Sequence, residues 1–329
     1  MNGNGSSNGG TREALQGSSV SPAFAARVRK LEPGAGDGVF AARAAAPGVA
    51  WPEPVLLLHG GGNHAGHWRQ VMEGYLPARQ LSAIDLHGSG RTGLLERARE
   101  FSLDDEAELV EAEVRRLGGR AHVVGHSYGG AVALRVAERA RVDVLSLAVI
   151  EPILPRLMLH LGETELFEQA RRGVESFWEL VRLNRHDTAM AWFVDAFNGE
   201  GTWRALPEDK RARLTAMAPG VALGTQALAD NPARPEALAR IAVPTTVLHG
   251  ACTGARERRM AELAAQVIPG SRLAILPGAA HMSPLTHPGL VREAIVQHLR
   301  WAARPAGGHE VARNIPPEGG RRIAESECA

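Results

Sequence analysis

Six short apolar runs recur along the central part of the chain, each closed by glycine, proline or a polar residue. Their apolar residues follow one another directly, without the alternation that marks a sheet with one face in water. Continuous runs of this kind are typical of strands buried on both faces, as in a parallel sheet. The sequence therefore predicts six buried strands, at residues 54–60, 81–88, 121–127, 143–152, 244–250 and 272–278.

Helical patterns separate these runs. Ser102 and Asp105 have the spacing of a capping box ahead of an apolar helical face. Near the end of the chain, Val291, Ile295 and Leu299 recur every fourth residue and predict one face of a last helix. Strands that alternate with helices predict an α/β fold with a mostly parallel, doubly wound sheet.

One long stretch, residues 155–241, contains no convincing strand pattern and is expected to form a helical cap inserted between strands. It divides the predicted α/β core into a first part at 23–154 and a second part at 242–304. The two ends of the chain, 1–22 and 305–329, are rich in small and polar residues. We expect these tails to be disordered, because they have too few apolar side chains to offset the entropy of ordering.

Charge and cysteine content exclude several classes of protein. The chain has 37 basic and 36 acidic side chains, a balance that counts against nucleic-acid binding. Two cysteines in 329 residues are too few for a disulfide framework or a zinc cluster. No apolar run approaches the roughly 20 residues of a membrane helix, and the first residues resemble no secretory signal. We therefore expect a cytoplasmic protein with a small-molecule substrate and no nucleic-acid or membrane partner.

The strongest chemical signal lies between the third predicted strand and the helix after it. Gly125, Ser127 and Gly129 form the pattern G-x-S-x-G, the signature of a nucleophile elbow. In such a turn the serine is held in a strained conformation at a helix N-terminus, and the flanking glycines prevent backbone clashes. Ser127 is therefore the predicted nucleophile, and the backbone N–H of Tyr128 is a predicted oxyanion donor.

Together with this elbow, three further segments resemble those of the alpha/beta-hydrolase family. They are the His-Gly run that begins at His59, the Gly/Ala-rich loop with His281, and the turn at Asp85–Thr92. The resemblance covers residues 40–301. The turn also fits the dinucleotide pattern G-x-G-x-x-G, but three residues separate the strand from its glycines, so we interpret it as a structural turn.

The resemblance implies an oxyanion loop after the first predicted strand. Glycines there let backbone donors approach a reacting oxygen closely, and the N–H of Gly61 is the predicted second donor, with Gly62 as the alternative. A metal site formed by His59, His64 and His67 is the competing interpretation. It is disfavoured, because no carboxylate is clustered with these histidines and their spacing matches no metal motif. No metal and no cofactor are expected.

The same resemblance implies that His281, a few residues past the last predicted strand, is the general base that takes the proton of Ser127. His287 is the weaker candidate, because it directly precedes Pro288 and is expected to belong to the start of the last helix.

The third member of the expected triad departs from the family pattern. Most members carry an aspartate after the fifth strand, where this sequence has Thr253. Some members place the acid one strand earlier, and there the sequence has Glu151. We therefore predict Glu151 as the acid that orients His281, with a helix-cap or ion-pair role as the alternative.

These residues predict a serine hydrolase that cleaves an ester, lactone or thioester bond through a Ser-His-Glu triad and an acyl-enzyme. Aromatic residues of the expected cap, among them Trp178, Trp192, Phe193 and Trp203, favour a small apolar substrate. Two alternatives remain open at this point. One is a lyase, cyclase or haloperoxidase-like perhydrolase of the same fold, and the other is a related protein that binds a small molecule without turnover. The sequence does not indicate the oligomeric state.

Overall fold

The structure, a computed structural model, describes residues 53–73, 81–94 and 100–304, together with a two-residue antiparallel pairing of Arg29–Lys30 with Ala42–Arg43. The predicted disordered tails lie outside the described residues. The six predicted strands are all present: β1 Val55–Leu58, β2 Leu81–Ile84, β3 Arg120–His126, β4 Asp143–Ile150, β5 Thr245–Gly250 and β6 Arg272–Leu276.

The six strands form one sheet in the order β2-β1-β3-β4-β5-β6, and every neighbouring pair is parallel. The register brings the carboxyl ends of the strands to one edge, where Leu58 pairs with Gly125 and His126 pairs with Ile150. In open parallel sheets, binding sites form at this edge where the strand order reverses. The predicted α/β fold with a mostly parallel, doubly wound sheet is confirmed.

Both faces of the sheet are buried, which explains the continuous apolar runs of the sequence. Along β1, Leu56 and Leu58 belong to one hydrophobic cluster, whereas Val55 and Leu57 belong to the cluster on the opposite face. The helices that cover the sheet are α1 Arg69–Glu73 (preceded by the 3-10 turn Ala65–Trp68), α2 Leu103–Arg116, α3 Tyr128–Arg139, α11 Ala255–Val267, α12 Ser283–Thr286 and α13 Pro288–Ala302.

Two helices follow their sequence signals closely. The Ser102 amide donates to the Asp105 carboxylate at 2.9 Å, which closes the predicted capping box of α2. Along α13, Val291, Ile295 and Leu299 are fully buried against the sheet, as their spacing predicts.

Between β4 and β5 the chain leaves the sheet and returns to the neighbouring strand, and the described residues in between contain helices and no strand. We call residues 155–241 the helical insertion. Phe177, Met190 and Val221 lie in a hydrophobic cluster of its own. Its helices are α4 Pro155–His160, α5 Thr164–Arg182, α6 His186–Asn198, α7 Thr202–Ala205, α8 Glu208–Ala216, α9 Ala218–Asp230 and α10 Pro235–Leu238. Within the described residues, no helix has both the length and the apolar character that crossing a bilayer requires.

Candidate active site

Ser127 occupies the tight turn between β3 and α3. Its backbone has φ 55° and ψ −116°, a strained conformation for a residue with a side chain. The turn is packed backbone against backbone, because a Cβ atom placed on Gly129 would lie 2.6 Å from the His59 carbonyl oxygen. A Cβ on Gly125 would overlap the Gly129 carbonyl. The elbow pattern of the sequence therefore corresponds to positions where any side chain would force the turn open.

His281 lies in the loop after β6 and joins Ser127 to Glu151. The Ser127 hydroxyl lies 3.1 Å from Nε2 of His281, and Nδ1 of the same ring lies 2.6 Å from Oε2 of Glu151. A carboxylate only accepts hydrogen bonds, so Nδ1 carries the ring proton and Nε2 is free to accept the serine proton. All three residues are buried, with 7%, 5% and 0% of Ser127, His281 and Glu151 exposed.

Glu151 follows the last residue of β4, in a left-handed backbone conformation with φ 46°. The Gly250 amide donates to Oε1 at 2.8 Å, and the Thr253 hydroxyl donates to Oε2 at 2.7 Å. Burial on its own would raise the pKa of Glu151, but the hydrogen bond and charge of His281 and these two donors lower the pKa to about 2. The Glu151 carboxylate therefore stays ionised while it holds the imidazole.

Thr253 is the contact that sequence reasoning missed. The sequence showed only that a threonine stands at the position expected for aspartate. In the structure Thr253 lies beside Glu151, which follows β4 instead of β5. The threonine hydroxyl donates a hydrogen bond to the Glu151 carboxylate. The sequence offered one signal for this contact. It differs from the common family pattern at two positions together, with an acid after β4 and a hydroxyl residue after β5.

His281 is held from two further directions. Nε2 of His126 donates to the His281 carbonyl oxygen at 2.8 Å, and the Phe197 ring of the helical insertion stacks on the His281 ring at a centroid distance of 4.9 Å. Burial, together with the neighbouring His281, lowers the pKa of His126 to about 3, so its ring is neutral. His287, the weaker candidate for the base, occupies the N-cap position of α13, and its Nδ1 lies 2.9 Å from the Thr286 hydroxyl.

The two predicted oxyanion donors belong to segments that meet at Ser127. A Cβ atom placed on Gly61 would lie 3.9 Å from Cβ of Tyr128, and both residues line a cavity with Ser127. The hydroxyl of Tyr128 donates a hydrogen bond to the Glu106 carboxylate at 2.9 Å. Gly62, the alternative donor, lines the same cavity with φ 68°.

The three histidines of the competing metal interpretation have separate partners. His59 donates from Nδ1 to the Gly60 carbonyl at 2.8 Å and accepts the Leu86 amide on Nε2 at 3.0 Å. His64 accepts the Gly66 amide hydrogen, and the His67 ring stacks on His126. No group of three or more potential metal ligands occurs among the described residues.

The turn after β2 is held by one carboxylate. Asp85 accepts the amide of Ala65 at 2.6 Å and the amide of Arg91 at 2.9 Å. A Cβ atom on Gly90 would collide with this carboxylate, so the absence of a side chain at Gly90 makes room for Asp85.

Two cavities meet at Ser127, and both are also lined by Gly61, Gly62, Phe193 and Phe197. The first, which we call the aromatic cavity, has a volume of about 300 Å³; its walls include Tyr128, Phe167, Val174, Trp178, Trp192 and Met260. The second, the basic cavity, has a volume of about 640 Å³; its walls include His64, Lys210, Arg213, Leu214, His281 and Leu285. The helical insertion contributes to the walls of both.

A parallel α/β sheet with a nucleophile elbow at its carboxyl edge defines the class of alpha/beta hydrolases. Residues 55–294 match the model of the alpha/beta hydrolase family, and the chain belongs to that family. It is a hydrolase, as its curated relatives also indicate.

Among these relatives, a pimeloyl-[acyl-carrier protein] methyl ester esterase of Edwardsiella ictaluri is 30% identical over 71% of this chain and 88% of its own length. The enzyme of the same name from Pectobacterium carotovorum is also 30% identical, over 74% of this chain and 92% of its own length. Among solved structures, a thermophilic esterase from Thermogutta terrifontis has the same fold, with a TM-score of 0.62 at 24% identity over 81% of this chain and 95% of that chain.

Proposed function

We propose that the protein is a serine esterase that cleaves the carboxylic ester bond of a small, apolar substrate through Ser127, His281 and Glu151. The observation that carries this proposal is the unbroken series of short contacts, 3.1 Å from Ser127 Oγ to His281 Nε2 and 2.6 Å from His281 Nδ1 to Glu151. Such a series provides a nucleophile, a base and an orienting charge in the order that acyl transfer needs.

In the first half of the reaction, Oγ of Ser127 attacks the ester carbonyl carbon while Nε2 of His281 takes its proton. The negative charge of Glu151 stabilises the imidazolium that forms. The amides of Gly61 and Tyr128 donate to the carbonyl oxygen as it becomes an oxyanion. The tetrahedral intermediate then collapses. The bond to the leaving oxygen breaks, and His281 gives its proton to that oxygen, so a neutral alcohol departs and the acyl group stays on Ser127.

In the second half, water takes the place of the alcohol. His281 removes a proton from the water as its oxygen attacks the acyl carbon, and the same two amides hold the second oxyanion. When this intermediate collapses, His281 returns the proton to Ser127, and the carboxylic acid is released. One water is consumed for each ester cleaved, and the enzyme returns to its starting state.

The nature of the bond rests on the relatives, and the nature of the substrate rests on the cavity. The two curated relatives are esterases of carboxylic methyl esters by name, which supports an ester ahead of a lactone or a thioester. The aromatic cavity, with Phe167, Trp178 and Trp192 in its wall, supports an apolar acyl group. In this proposal the helical insertion acts as a cap that shields the acyl-enzyme from bulk water.

Ser127→Ala tests the proposal. We expect wild-type protein to hydrolyse 4-nitrophenyl esters and to be labelled on one serine by a fluorophosphonate probe. The variant should lose the labelling and at least roughly 10⁴-fold in kcat, since the attacking oxygen is gone. Initial rates over an acyl series from acetate to decanoate, with mass spectrometry of the labelled peptide, measure both effects.

Ser283→Ala is a matched control, because Ser283 is also buried but makes no catalytic contact. Wild type that neither hydrolyses any member of the series nor reacts with the probe would overturn the esterase proposal. The proposal also includes a small-molecule substrate, which the cavities support, and a cytoplasmic location, which the composition of the chain supports.

A further inference from the structure

We propose that the two cavities at Ser127 divide the substrate, with the apolar acyl group in the aromatic cavity and an anionic leaving group in the basic cavity. This inference rests on the proposed esterase function and specifies its substrate class. That class is an ester between an apolar acid and an alcohol that carries a carboxylate or a phosphate.

The position of His281 decides which half of the substrate enters which cavity. His281 lines the basic cavity together with Met282 and Leu285, and it does not line the aromatic cavity. The leaving oxygen must receive its proton from Nε2 of His281, so the leaving group has to lie on the His281 side of Ser127. The acyl group points to the other side, where Tyr128, one of the two proposed oxyanion donors, lines the aromatic cavity.

The charges around the basic cavity favour an anion. Lys210 and Arg213 lie on α8 in its wall, and none of the described residues that line it is an aspartate or a glutamate. Arg213 is paired with Asp209 on the exposed face of α8, whereas Lys210 forms no ion pair with the described residues. His64 adds a donor, because its Nδ1 accepts the Gly66 amide hydrogen and the proton of the neutral ring is therefore on Nε2.

The aromatic cavity has a smaller excess of positive charge, because two carboxylates, Glu175 and Asp230, line it together with its arginines. Three arginines reach its wall, but each has a partner in the protein. Arg171 pairs with Glu175, which lines the same cavity, and Arg256 pairs with Glu257. Nε of Arg156 donates to the Ala229 carbonyl at 2.8 Å. An anionic group therefore gains more in the basic cavity than in the aromatic one.

A pair of esters with one acyl group measures the charge preference directly. The two substrates are 4-nitrophenyl hexanoate and 3-carboxy-4-nitrophenyl hexanoate. They differ only in the carboxylate on the leaving group of the second, which we call the anionic ester; the first is the neutral ester. The quantity measured is the ratio of kcat/KM for the anionic ester to that for the neutral ester, because this ratio cancels effects on the acyl half. We expect the ratio in wild type to fall as the salt concentration rises.

Charge substitutions at Lys210 test the location of the anion. We expect Lys210→Gln to lower the ratio about threefold, within the range for one exposed charge pair. Lys210→Glu adds a repulsive charge as well and should lower the ratio about tenfold. Arg182→Glu is the matched control. It reverses another exposed charge on the same helical insertion, but it lines neither cavity. It should leave the ratio at the wild-type value.

Two filling substitutions test the division itself. Val174 lines only the aromatic cavity, and Leu214 lines only the basic cavity. We expect Val174→Trp to shorten the longest acyl chain accepted in the 4-nitrophenyl series by several carbons. Leu214→Trp should leave that limit in place and instead slow hexanoate esters of bulky alcohols.

The outcomes separate this inference from the esterase proposal. Active enzyme whose ratio does not respond to Lys210→Glu overturns the anionic leaving group. The inference is also overturned if the enzyme is active but the two filling substitutions have the opposite effects. In that case Leu214→Trp shortens the acyl chain that is accepted, and Val174→Trp restricts the alcohol. If no ester is cleaved and no serine is labelled, the esterase proposal fails instead. Circular dichroism confirms that each variant is folded before its rates are compared.

Discussion

Two buried histidines, one in a loop and one on a helix, lie against different parts of the sheet and differ in their hydrogen-bond partners. His281, at the carboxyl edge, donates a hydrogen bond from Nδ1 to the Glu151 carboxylate. His298, on α13, lies between two hydroxyl groups, with Nε2 at 2.8 Å from Ser146 and Nδ1 at 2.8 Å from Thr246. Both side chains are almost fully buried, so burial does not separate the catalytic candidate from the other histidine.

The difference lies in charge. Hydroxyl groups cannot balance an imidazolium, and burial beside His122 and Arg272 lowers the pKa of His298 to about 3. His298 is therefore a neutral hydrogen-bonding residue that links the sheet to α13. His281 has an ionised carboxylate on one nitrogen and a serine on the other, so it can take up a proton and keep it through a tetrahedral intermediate. A buried histidine can therefore act as a base when a charged partner, such as a carboxylate, stabilises its protonated form.

The largest effect that this comparison predicts is that of Glu151→Gln. Three donors share the two oxygens of Glu151, namely the His281 ring, the Gly250 amide and the Thr253 hydroxyl. Glutamine has one acceptor oxygen and adds two N–H donors, so it removes the charge and leaves donors facing donors. We expect kcat for a 4-nitrophenyl ester to fall roughly 10³- to 10⁴-fold.

The same variant gives a clear contrary result. If Glu151→Gln keeps full activity, the carboxylate is not the acid of the triad, while the roles of Ser127 and His281 are unaffected. Glu163→Gln is a suitable control, because Glu163 forms an ion pair with Arg259 away from Ser127.

A smaller effect is expected from Thr253→Val, which removes one donor from the Glu151 carboxylate. A hydrogen bond to a charged group contributes about 1.5 kcal/mol, so we expect kcat to fall about tenfold. Losing this donor also removes one of the contacts that lower the pKa of Glu151.

Thr253→Ser separates this effect from a change in packing. It keeps the hydroxyl and loses only a methyl group, and it should restore most of the activity. Equal rates for the valine and serine variants would contradict the assigned contact.

The smallest effect on activity is expected from His298→Gln, which should change stability instead. Glutamine can reach only part of the Ser146 and Thr246 hydroxyl pair, so we expect a loss of about 1–3 kcal/mol in the free energy of unfolding at pH 7. The rate of ester cleavage by the folded protein should stay within about twofold of wild type, the range expected for a site that does not contact substrate. Urea titration and initial rates measure the two quantities, and a large loss of kcat would erase the distinction between the histidines.

The pH dependence of the free energy of unfolding provides a second test of the neutral state of His298. The pKa of His298 is about 3 in the folded protein and 6.5 ordinarily, so between these values the unfolded chain binds more protons. Stability contributed by the neutral ring is therefore present above pH 6.5 and is lost as the pH falls toward 3. For one such histidine the loss from pH 7 to pH 5 is about 2 kcal/mol. Wild type should show this slope in urea titrations, and His298→Gln should show a shallower one.

The fold could be predicted because its signals are local. All six apolar runs form strands, but several end earlier than predicted, and the structure shows why. After Ile84 the chain turns so that Asp85 reaches two loop amides, and after Ile150 the backbone of Glu151 enters a left-handed conformation. The residue directly after each of these points is acidic, and its carboxylate accepts hydrogen bonds from loop residues outside the strand.

The candidate site could be predicted only where one residue carries its own signal. Ser127 has flanking glycines, and Glu151 has its position at a strand end. The contact between Thr253 and Glu151 and the contact between His126 and the His281 carbonyl join residues more than a hundred positions apart. Neither contact has a spacing that a sequence displays, because the closing of the sheet brings the loops together.

The position of the helical insertion has a consequence for how such an enzyme can diversify. The chain leaves β4 and re-enters β5, and these strands are neighbours in the sheet. A recombination event therefore needs only two nearby junctions to exchange this segment, and Ser127, Glu151 and His281 all lie outside it. Selection can thus replace the walls that surround a substrate while the chemical machinery is inherited unchanged.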